Sequence, residues 1–275
     1  MTRPLLLILF CLIALQSVVA QKPEAAARKF DEFGDANLSD IAARLDSYAI
    51  QLQNEPDTKA FVIVYRTRRD VPGLSSSLAG WMKSYLLGAR GFDKSRIVAV
   101  DGGVAGCIAQ ELWIVPPGAA PVPRSDAYQR TFEATDRPRL FYSGDYFVKD
   151  FEAPSYDFDV SNSFEGFSEA MRREPRMVGY LIAYAGYRID DLSEYNDQNV
   201  LIRKGRRVVI QPAGSARTAA AKYKAQLAKE YQVPSSRIKT VFGGYRSWPA
   251  VDLWIVPPDN PGPIPTPDRI PKTRK

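Results

Sequence analysis

Glu-Leu-Trp-Ile-Val-Pro-Pro occupies residues 111–117 of this chain, and Asp-Leu-Trp-Ile-Val-Pro-Pro occupies residues 252–258. The two stretches differ at one position and lie 141 residues apart (252 minus 111). The same offset relates the two Ser-Arg-Ile motifs, at 95–97 and 236–238, and the two Gly-Gly pairs, at 102–103 and 243–244. Three matches at one spacing indicate two copies of one domain, because solenoid repeats recur every ~20 to 50 residues.

Nearer the N-terminus the corresponding segments are separated by a shorter distance. Ala-Phe-Val-Ile-Val-Tyr at 60–65 matches Gly-Tyr-Leu-Ile-Ala-Tyr at 179–184, an offset of 119 (179 minus 60). The second copy therefore carries an insertion of 22 residues (141 minus 119), which falls near residues 186–210.

Both copies have the same predicted order of elements: helix, strand, helix, strand, strand. Asn37, with Asp40 three residues later, is typical of a helix N-cap. Apolar residues then recur at helical spacing in each copy, at Ile41, Leu45, Tyr48 and Leu52 and at Val160, Phe164, Phe167 and Met171. The continuous apolar runs 60–65 and 179–184 predict central strands. The Gly-Gly pairs predict hairpins that join the last two strands of each copy.

These elements predict an α/β (α+β) protein built from two tandem copies of a two-layer domain, with two helices packed on a small mixed sheet. We expect a signal peptide at 1–20, the first copy at 21–123 and the second copy at 124–258. Residues 259–275 form a proline-rich basic tail, which we expect to be flexible.

The N-terminal segment predicts export from the cell. Arg3 precedes an apolar run from Leu5 to Leu15, and the expected cleavage point follows Ala20. The apolar run is shorter than the ~20 residues that cross a bilayer. Export would leave Cys107 as the single cysteine of the mature chain, and we expect a lone thiol in an oxidising compartment to be buried.

The composition of the 275 residues excludes several kinds of catalysis. The chain has no histidine, which removes Ser-His-Asp and Cys-His catalysis and histidine-ligated zinc. Its net charge of +6 is a mild excess and does not form the dense basic clusters of nucleic-acid-binding proteins. We therefore expect no cofactor, no metal and no nucleic-acid partner.

The stretch from Trp81 to Ile97, which combines an amphipathic helix, a Gly-Phe-Asp turn and a Ser-Arg-Ile strand start, resembles the OmpA-like periplasmic domain. The order of the elements is similar too, and the resemblance covers roughly half of each copy. It implies an α/β fold of the cell envelope that binds the peptide stems of peptidoglycan without covalent chemistry.

The resemblance also implies where such a site would lie. The family holds the charged diaminopimelate end with an Asp after the first core strand and an Arg in the following helix. In this sequence Arg68 and Tyr187 occupy the Asp positions, and Leu78 and Ala219 occupy the Arg positions. Both copies therefore lack both charged partners of the family's site.

The insertion provides the other candidate ligand-binding residues. An acidic stretch at 190–194 precedes the segment 199–210, which is typical of a β-hairpin with its turn at Lys204-Gly205. Its basic side chains either keep an exposed strand edge from pairing or bind an anion such as a phosphate, a carboxylate or a lipid headgroup. The candidate ligand-binding residues are Arg203, Lys204, Arg206, Arg207 and Arg68.

Aromatic residues are dense between Tyr128 and Phe158. We expect strands such as Leu140 to Val148 to cover the junction of the two copies and to bury these aromatic side chains there, because scattered aromatic side chains normally pack inside. The alternative is an exposed surface that stacks on sugar rings.

The sequence as a whole predicts an exported, non-enzymatic cell-envelope protein, periplasmic or secreted, with no transmembrane segment in the mature chain. Its expected partner is an envelope protein or peptidoglycan. A second hypothesis is a protein-interaction subunit of an envelope complex that acts through the inserted basic hairpin. A third is an unrecognised hydrolase.

Overall fold

The computed structural model describes residues 26–122, 124–128, 137–146 and 159–270. The predicted signal peptide and much of the aromatic stretch lie outside these residues. The first half of the chain contains β1 (Arg28–Phe33), α1 (Leu38–Asn54), β2 (Lys59–Arg66), α2 (Leu74–Gly88), β3 (Ile97–Val104) and β4 (Ala109–Val115).

The second half begins with β5 (Arg139–Asp145), a 3-10 turn (Val160–Ser163) and α3 (Phe164–Arg173). It continues with the long strand β6 (Val178–Asp191) and the short strands β7 (Glu194–Tyr195), β8 (Leu201–Arg203) and β9 (Arg206–Ile210). The chain then forms α4 (Ala213–Lys229), β10 (Ile238–Arg246) and β11 (Ala250–Val256).

The main sheet of each half is mixed, and four strands have the same order and directions in both; in the second half β9 also pairs with β6, and β7 and β8 form a separate pair. The order is β1-β4-β2-β3 in the first half and β5-β11-β6-β10 in the second. In both, the central strand pairs in parallel on one side and antiparallel on the other. The predicted α/β class is therefore confirmed. The leading strand β1 is missing from the prediction, whereas β5 overlaps the strand expected at Leu140 to Val148. The duplication itself stays an inference from the sequence.

The helices begin and pack as their apolar spacing predicts. The side chain of Asn37 accepts a hydrogen bond from the backbone N–H of Asp40 at 3.0 Å and so caps α1. The predicted apolar residues of α1, and those of α3 with the turn before it, are all buried. Side chains of α1 and α2 share one core with Val62 and Leu112 of the sheet, so both helices lie on the same sheet face.

The predicted hairpins between the last two strands of each half are wrong. Strands β3 and β4 do not pair, because β2 lies between them. Gly102 and Gly103 lie inside β3 at a bulge, where a Cβ on Gly102 would come within 2.5 Å of the ring of Tyr65. Gly103 has a φ of 89°, which glycine adopts without strain. The first Gly-Gly pair therefore lies where β3 bulges and approaches the ring of Tyr65 closely. The second Gly-Gly pair lies in the same way at a bulge in β10.

The arginine of each Ser-Arg-Ile motif caps the C-terminal end of the first helix in its half. Arg96 donates hydrogen bonds of 2.8 to 3.1 Å to the backbone carbonyls of Leu52, Glu55 and Thr58. Arg237 donates hydrogen bonds of 2.7 to 3.1 Å to the backbone carbonyls of Met171, Glu174 and Met177. The accepting residues are related by the offset of 119 and the arginines by the offset of 141. Each arginine therefore donates to one carbonyl in the last turn of a helix, that of Leu52 or Met171, and to two carbonyls beyond the end of that helix.

The insertion forms a β-arm, which we define as residues 187–210. Its base continues β6 beyond the sheet, where the last five residues pair with β9 from Tyr187–Ile210 to Asp191–Arg206. Strand β8 pairs with β7 instead of β9. The predicted hairpin with its turn at Lys204-Gly205 is therefore wrong. The basic strand pairs with the acidic end of β6, where opposite charges face each other across the ladder.

The tail after β11 lies along the sheet over residues 259–270 and forms hydrogen bonds to it, which the sequence does not predict. The backbone N–H of Thr266 donates to the hydroxyl of Tyr184 at 3.1 Å, and that of Asp268 donates to the carbonyl of Tyr245 at 2.8 Å. The tail thus covers the sheet face that carries no helices. The segment after β4 does the same in the first half, where the N–H of Arg124 donates to Tyr65 at 3.4 Å.

Candidate functional site

The two halves meet through helices that do not correspond to each other. Helix α2 packs against α3 and the turn before it, whereas the sequence offsets relate α2 to α4 and α3 to α1. This contact therefore lacks the two-fold relation of a symmetric pair. Glycines bring the elements close together. A Cβ on Gly80 would lie 2.1 Å from the carbonyl oxygen of Asn162, and one on Gly166 would lie 2.0 Å from Oγ of Ser76.

A cleft of about 390 Å³ opens beside this contact. One wall consists of the end of β2, part of β3 and the start of α2, and the other consists of α3 and the start of β5. Its size suits an amino acid or one end of a short peptide. Seven charged side chains line it: Arg66, Asp101, Arg139, Glu165, Glu169, Arg172 and Arg173.

The first wall holds its carboxylate in a defined orientation. One oxygen of Asp101 accepts hydrogen bonds from Oγ of Ser75 at 2.6 Å and from the backbone N–H of Gly103 at 2.9 Å. The other accepts from Oγ of Ser76 at 3.3 Å. Both serines lie in the first turn of α2, where the helix dipole favours a negative charge. Arg66 ends the neighbouring strand and is buried, so the base of the cleft carries both signs of charge.

The second wall presents charges on the exposed side of α3. Glu169 accepts hydrogen bonds from Arg172 at 2.7 Å and from Arg173 at 2.9 Å. The hydrogen bond from Arg172 lowers the pKa of Glu169, so this side chain is a carboxylate at neutral pH. The two arginine side chains are 53% and 51% exposed, so they have room to turn towards a ligand.

This lining suits ionic recognition. A carboxylate with a lowered pKa is a poor general acid near neutral pH, but it is a good acceptor for an ammonium group. Arginine binds a carboxylate through two parallel hydrogen bonds. A cleft with both kinds of side chain matches a ligand that carries both charges.

The five predicted ligand-binding residues lie elsewhere. Arg203, Lys204, Arg206 and Arg207 belong to the β-arm of the second half, whereas Arg68 follows β2 in the first. Arg68 lies over the ring of Tyr128, at 5.4 Å from its centroid, and donates a hydrogen bond to its hydroxyl. None of these five described residues lines the cleft.

Two of the predicted ligand-binding residues, Arg203 and Arg207, have acidic partners within the arm. Arg207 donates to Asp190 at 2.8 Å, and Arg203 lies 3.9 Å from Glu194. The insertion thus pairs part of its basic segment with its own acidic stretch, which the order of residues along the chain did not predict.

The charged lining of the cleft was missed by the sequence analysis. The only local signal is the spacing of Glu169 with Arg172 and Arg173 at three and four residues, which is common on solvated helices. Asp101 precedes the Gly-Gly pair, and a glycine pair that predicts a hairpin turn does not distinguish this aspartate from an ordinary turn residue.

Cys107 is exposed, which contradicts the expected burial. It lies in the loop 105–108, which leads from β3 across the end of β2 to β4. Such a connection runs over the surface, so a short side chain within it is not drawn into the core.

Two buried carboxylates occupy equivalent positions in the sheets and have structural partners. Glu111 accepts from Lys29 at 2.7 Å and from the indole N–H of Trp113 at 2.8 Å. Asp252, 141 residues later, accepts two hydrogen bonds of 2.8 and 2.9 Å from Arg246. A buried charge needs such a partner, so these groups belong to the fold.

The comparisons with known proteins provide no relative: no protein-family model, no curated protein and no solved structure matches this chain. Among the residues that the structure describes, no helix is long and apolar enough to cross a membrane. Within the same residues, no cluster of three or more acidic, histidine or cysteine side chains could hold a metal ion.

Proposed function

We propose that this protein is an exported, non-enzymatic binding protein of the cell envelope, and that it holds its ligand in the cleft between its two halves. The observation that carries the proposal is the cleft's lining, in which arginines and carboxylates from both halves surround one opening. The proposed ligand is a peptide end that carries an ammonium and a carboxylate group, as peptidoglycan stems do.

The charges of the two walls support this class of ligand. The carboxylate of Asp101 is held in place by three hydrogen bonds from its own half, so it meets an ammonium group without having to be ordered first. Arg172 and Arg173 lie on the other wall and are half exposed, so they can close on a carboxylate. Prior positioning of one partner lowers the entropy that binding costs.

The resemblance to the OmpA-like domain supports the location. The family's two binding positions correspond to Arg68 and Leu78 in the first half. The cleft is lined by Arg66 and Ser76, each two residues earlier in the chain. The cleft therefore begins beside the family's site, with its charged groups provided by other residues and by a helix of the second half.

The test is retention of the purified protein on peptidoglycan sacculi at low salt. We compare the natural chain with the double variant Arg172→Glu, Arg173→Glu. The control is Arg176→Glu, since Arg176 is exposed, lies three residues beyond the end of α3 and lies outside the cleft. The reversed charges should weaken retention by about tenfold or more, because two charged hydrogen-bond donors become repulsive acceptors.

Failure of the natural chain to bind sacculi at low salt would overturn wall binding. Equal retention of the double variant and the control would overturn the cleft as the site. The double variant loses two exposed ion pairs with Glu169 and carries negative charge in the last turn of α3, so its urea midpoint should be slightly lower than that of the other two chains. Equal circular-dichroism spectra without urea show that all three chains are folded when retention is measured.

A further inference from the structure

Strand β3 is an edge strand of the first sheet, and part of its free edge lies in the cleft. Three consecutive residues of β3 line the cleft: Ala99, Val100 and Asp101. The side chain of Ala99 packs with the core beneath the helices, whereas that of Val100 packs with the cluster on the other face of the sheet. Because the cleft meets residues of both faces, it reaches the backbone of β3 at the edge of the sheet.

Such an edge can pair with one more strand. Alternate residues of a strand direct their N–H and C=O groups to the same side, so half of the backbone groups of β3 point away from β2. Among the residues that the structure describes, no segment pairs with Ala99 or Val100 on that side. Both residues are half-buried, whereas every residue of the central strand β4 is buried. The edge is therefore open where it meets the cleft.

One end of the same strand already pairs with another part of the chain. The backbone N–H of Val104 donates to the carbonyl of Tyr128 at 2.9 Å, and the N–H of Tyr128 donates to the carbonyl of Val104 at 3.0 Å, as in an antiparallel pair. The corresponding residue of β10 is Tyr245 (104 plus 141), and its carbonyl accepts from the N–H of Asp268 at 2.8 Å. The backbones of both edge strands, β3 and β10, therefore bind a further segment at equivalent points.

The position of Asp101 sets the direction of a bound peptide. A peptide antiparallel to β3 runs from the Val104 end of the strand towards Ile97, so its N-terminal end lies nearest Asp101 and its next residues lie beside Val100 and Ala99. The carboxylate of Asp101 is already held by hydrogen bonds of 2.6 and 2.9 Å from its own half. An ammonium group at that end of the peptide therefore meets an ordered acceptor, while the backbone pairs with the edge.

We propose that the cleft binds an extended peptide that adds a strand antiparallel to β3 beside Ala99 and Val100, with its ammonium end at Asp101. This inference rests on the proposed function, because it uses the same cleft, and it adds recognition of the peptide backbone to recognition of charge. Pairing along a sheet edge gives affinity through main-chain hydrogen bonds. The ligand class is therefore an extended peptide and not a single amino acid, which has no peptide bond to pair.

Titration of the isotope-labelled full chain with tri-alanine, followed by NMR of the backbone amides and by hydrogen exchange, tests the proposal. Two matched peptides are tri-alanines that carry one N-methyl group each, at the first or at the second peptide nitrogen. Both keep the charges of the two ends, and each loses one backbone donor. The internal control is the equivalent stretch of β10, Thr240 and Val241, which also lies at a sheet edge but outside the cleft.

We expect tri-alanine to slow hydrogen exchange at whichever amide of Ala99 and Val100 points away from β2, and to leave Thr240 and Val241 unchanged. One of the two methylated peptides should bind about fivefold or more weakly, because it lacks the N–H that faces β3. The other should bind nearly as well as tri-alanine, because neighbouring N–H groups of a strand point to opposite sides.

Three results would overturn strand addition: no binding of tri-alanine, equal binding of all three peptides, or amides of Ala99 and Val100 that exchange as slowly in the free chain as those of β4. The last result would show that the edge is already paired within the chain.

Failure of strand addition is distinguishable from failure of the proposed function. Retention on sacculi that depends on Arg172 and Arg173, together with equal binding of the three peptides, would keep the charged cleft and overturn strand addition. Selective binding of tri-alanine at β3 without retention on sacculi would support strand addition and overturn wall binding.

Discussion

Replacement of Arg237 by alanine tests whether the repeated Ser-Arg-Ile motif stabilises each half by capping a helix. Arg237 donates hydrogen bonds to three backbone carbonyls at and beyond the C-terminal end of α3. Alanine provides no donor, and the part-buried carbonyls can recover only some of their hydrogen bonds from water. The carbonyl of Glu174 keeps a hydrogen bond from the backbone N–H of Met177 at 3.1 Å. At about 1 kcal/mol for each of the other two carbonyls, the loss is about 2 kcal/mol of unfolding free energy.

The charge of Arg237 adds a smaller effect. A cation at the C-terminal end of a helix contributes about 0.3 to 1 kcal/mol through the helix dipole. Arg237→Lys keeps this charge but loses the planar fork that reaches several carbonyls. We therefore expect the lysine variant to lose about half as much stability as the alanine variant.

Urea unfolding followed by circular dichroism measures these losses, and hydrogen exchange of the α3 amides locates them. Arg176→Ala is the matched control, because Arg176 is an exposed arginine two residues beyond Glu174. Arg96→Ala should cause a similar loss in the first half, since Arg96 has the equivalent acceptors. A change below about 0.5 kcal/mol in Arg237→Ala would refute the capping role, since that is what ordinary surface substitutions cause.

Two further predictions concern a titrating group and a close contact. Burial, with a smaller contribution from the charge of Asp159, raises the pKa of Asp145 to about 6. The carboxyl of Asp145 therefore binds its proton more tightly in the folded chain than in the unfolded chain, so the free energy of unfolding should fall as pH rises from about 4 to 6. Asp145→Asn should remove this pH dependence and gain about 1 kcal/mol at pH 8, after discounting for solvent screening. Urea midpoints of the variant and the natural chain that run parallel with pH would contradict this prediction. Gly102→Ala would place a Cβ 2.5 Å from the Tyr65 ring and should lower the free energy of unfolding in urea by about 2 kcal/mol. Gly106→Ala is the control and should be neutral, because no atom lies within 4 Å of the added Cβ. Equal urea midpoints for the two variants would contradict the prediction and would show that the Tyr65 ring moves aside without a measurable loss of stability.

The helices and central strands could be predicted because their signals are local. The spacing of Ile41, Leu45 and Tyr48 marks the buried face of α1, and the Asn37 cap marks its start. A continuous apolar run such as 60–65 is typical of a strand covered on both faces. The sequence of β1, RKFDEF, predicts no strand, because two charged residues precede each phenylalanine and the segment has neither an apolar run nor a strict alternation.

The candidate site could not be predicted, because its residues are brought together only by packing. Asp101 and Glu169 are separated by 68 positions (169 minus 101), and neither belongs to a recognisable catalytic or binding motif. They share a cleft because α3 of the second half packs beside α2 of the first. The glycines that allow this approach, Gly80 and Gly166, are unremarkable in the sequence and have meaning only when the facing backbone is known.

The sequence by itself determined which segments form the helices and central strands. It also determined which residues of one half correspond to which residues of the other. Helical spacing, apolar runs and repeated motifs carry this information because they depend only on residues that are close together along the chain. The tertiary structure decided the order of strands, the course of the arm and the tail, and the charged cleft. A glycine pair serves a turn or a bulge equally well, and a basic segment pairs with whichever acidic strand the fold brings beside it. Those outcomes depend on contacts between residues far apart in the chain, where local pattern carries no information.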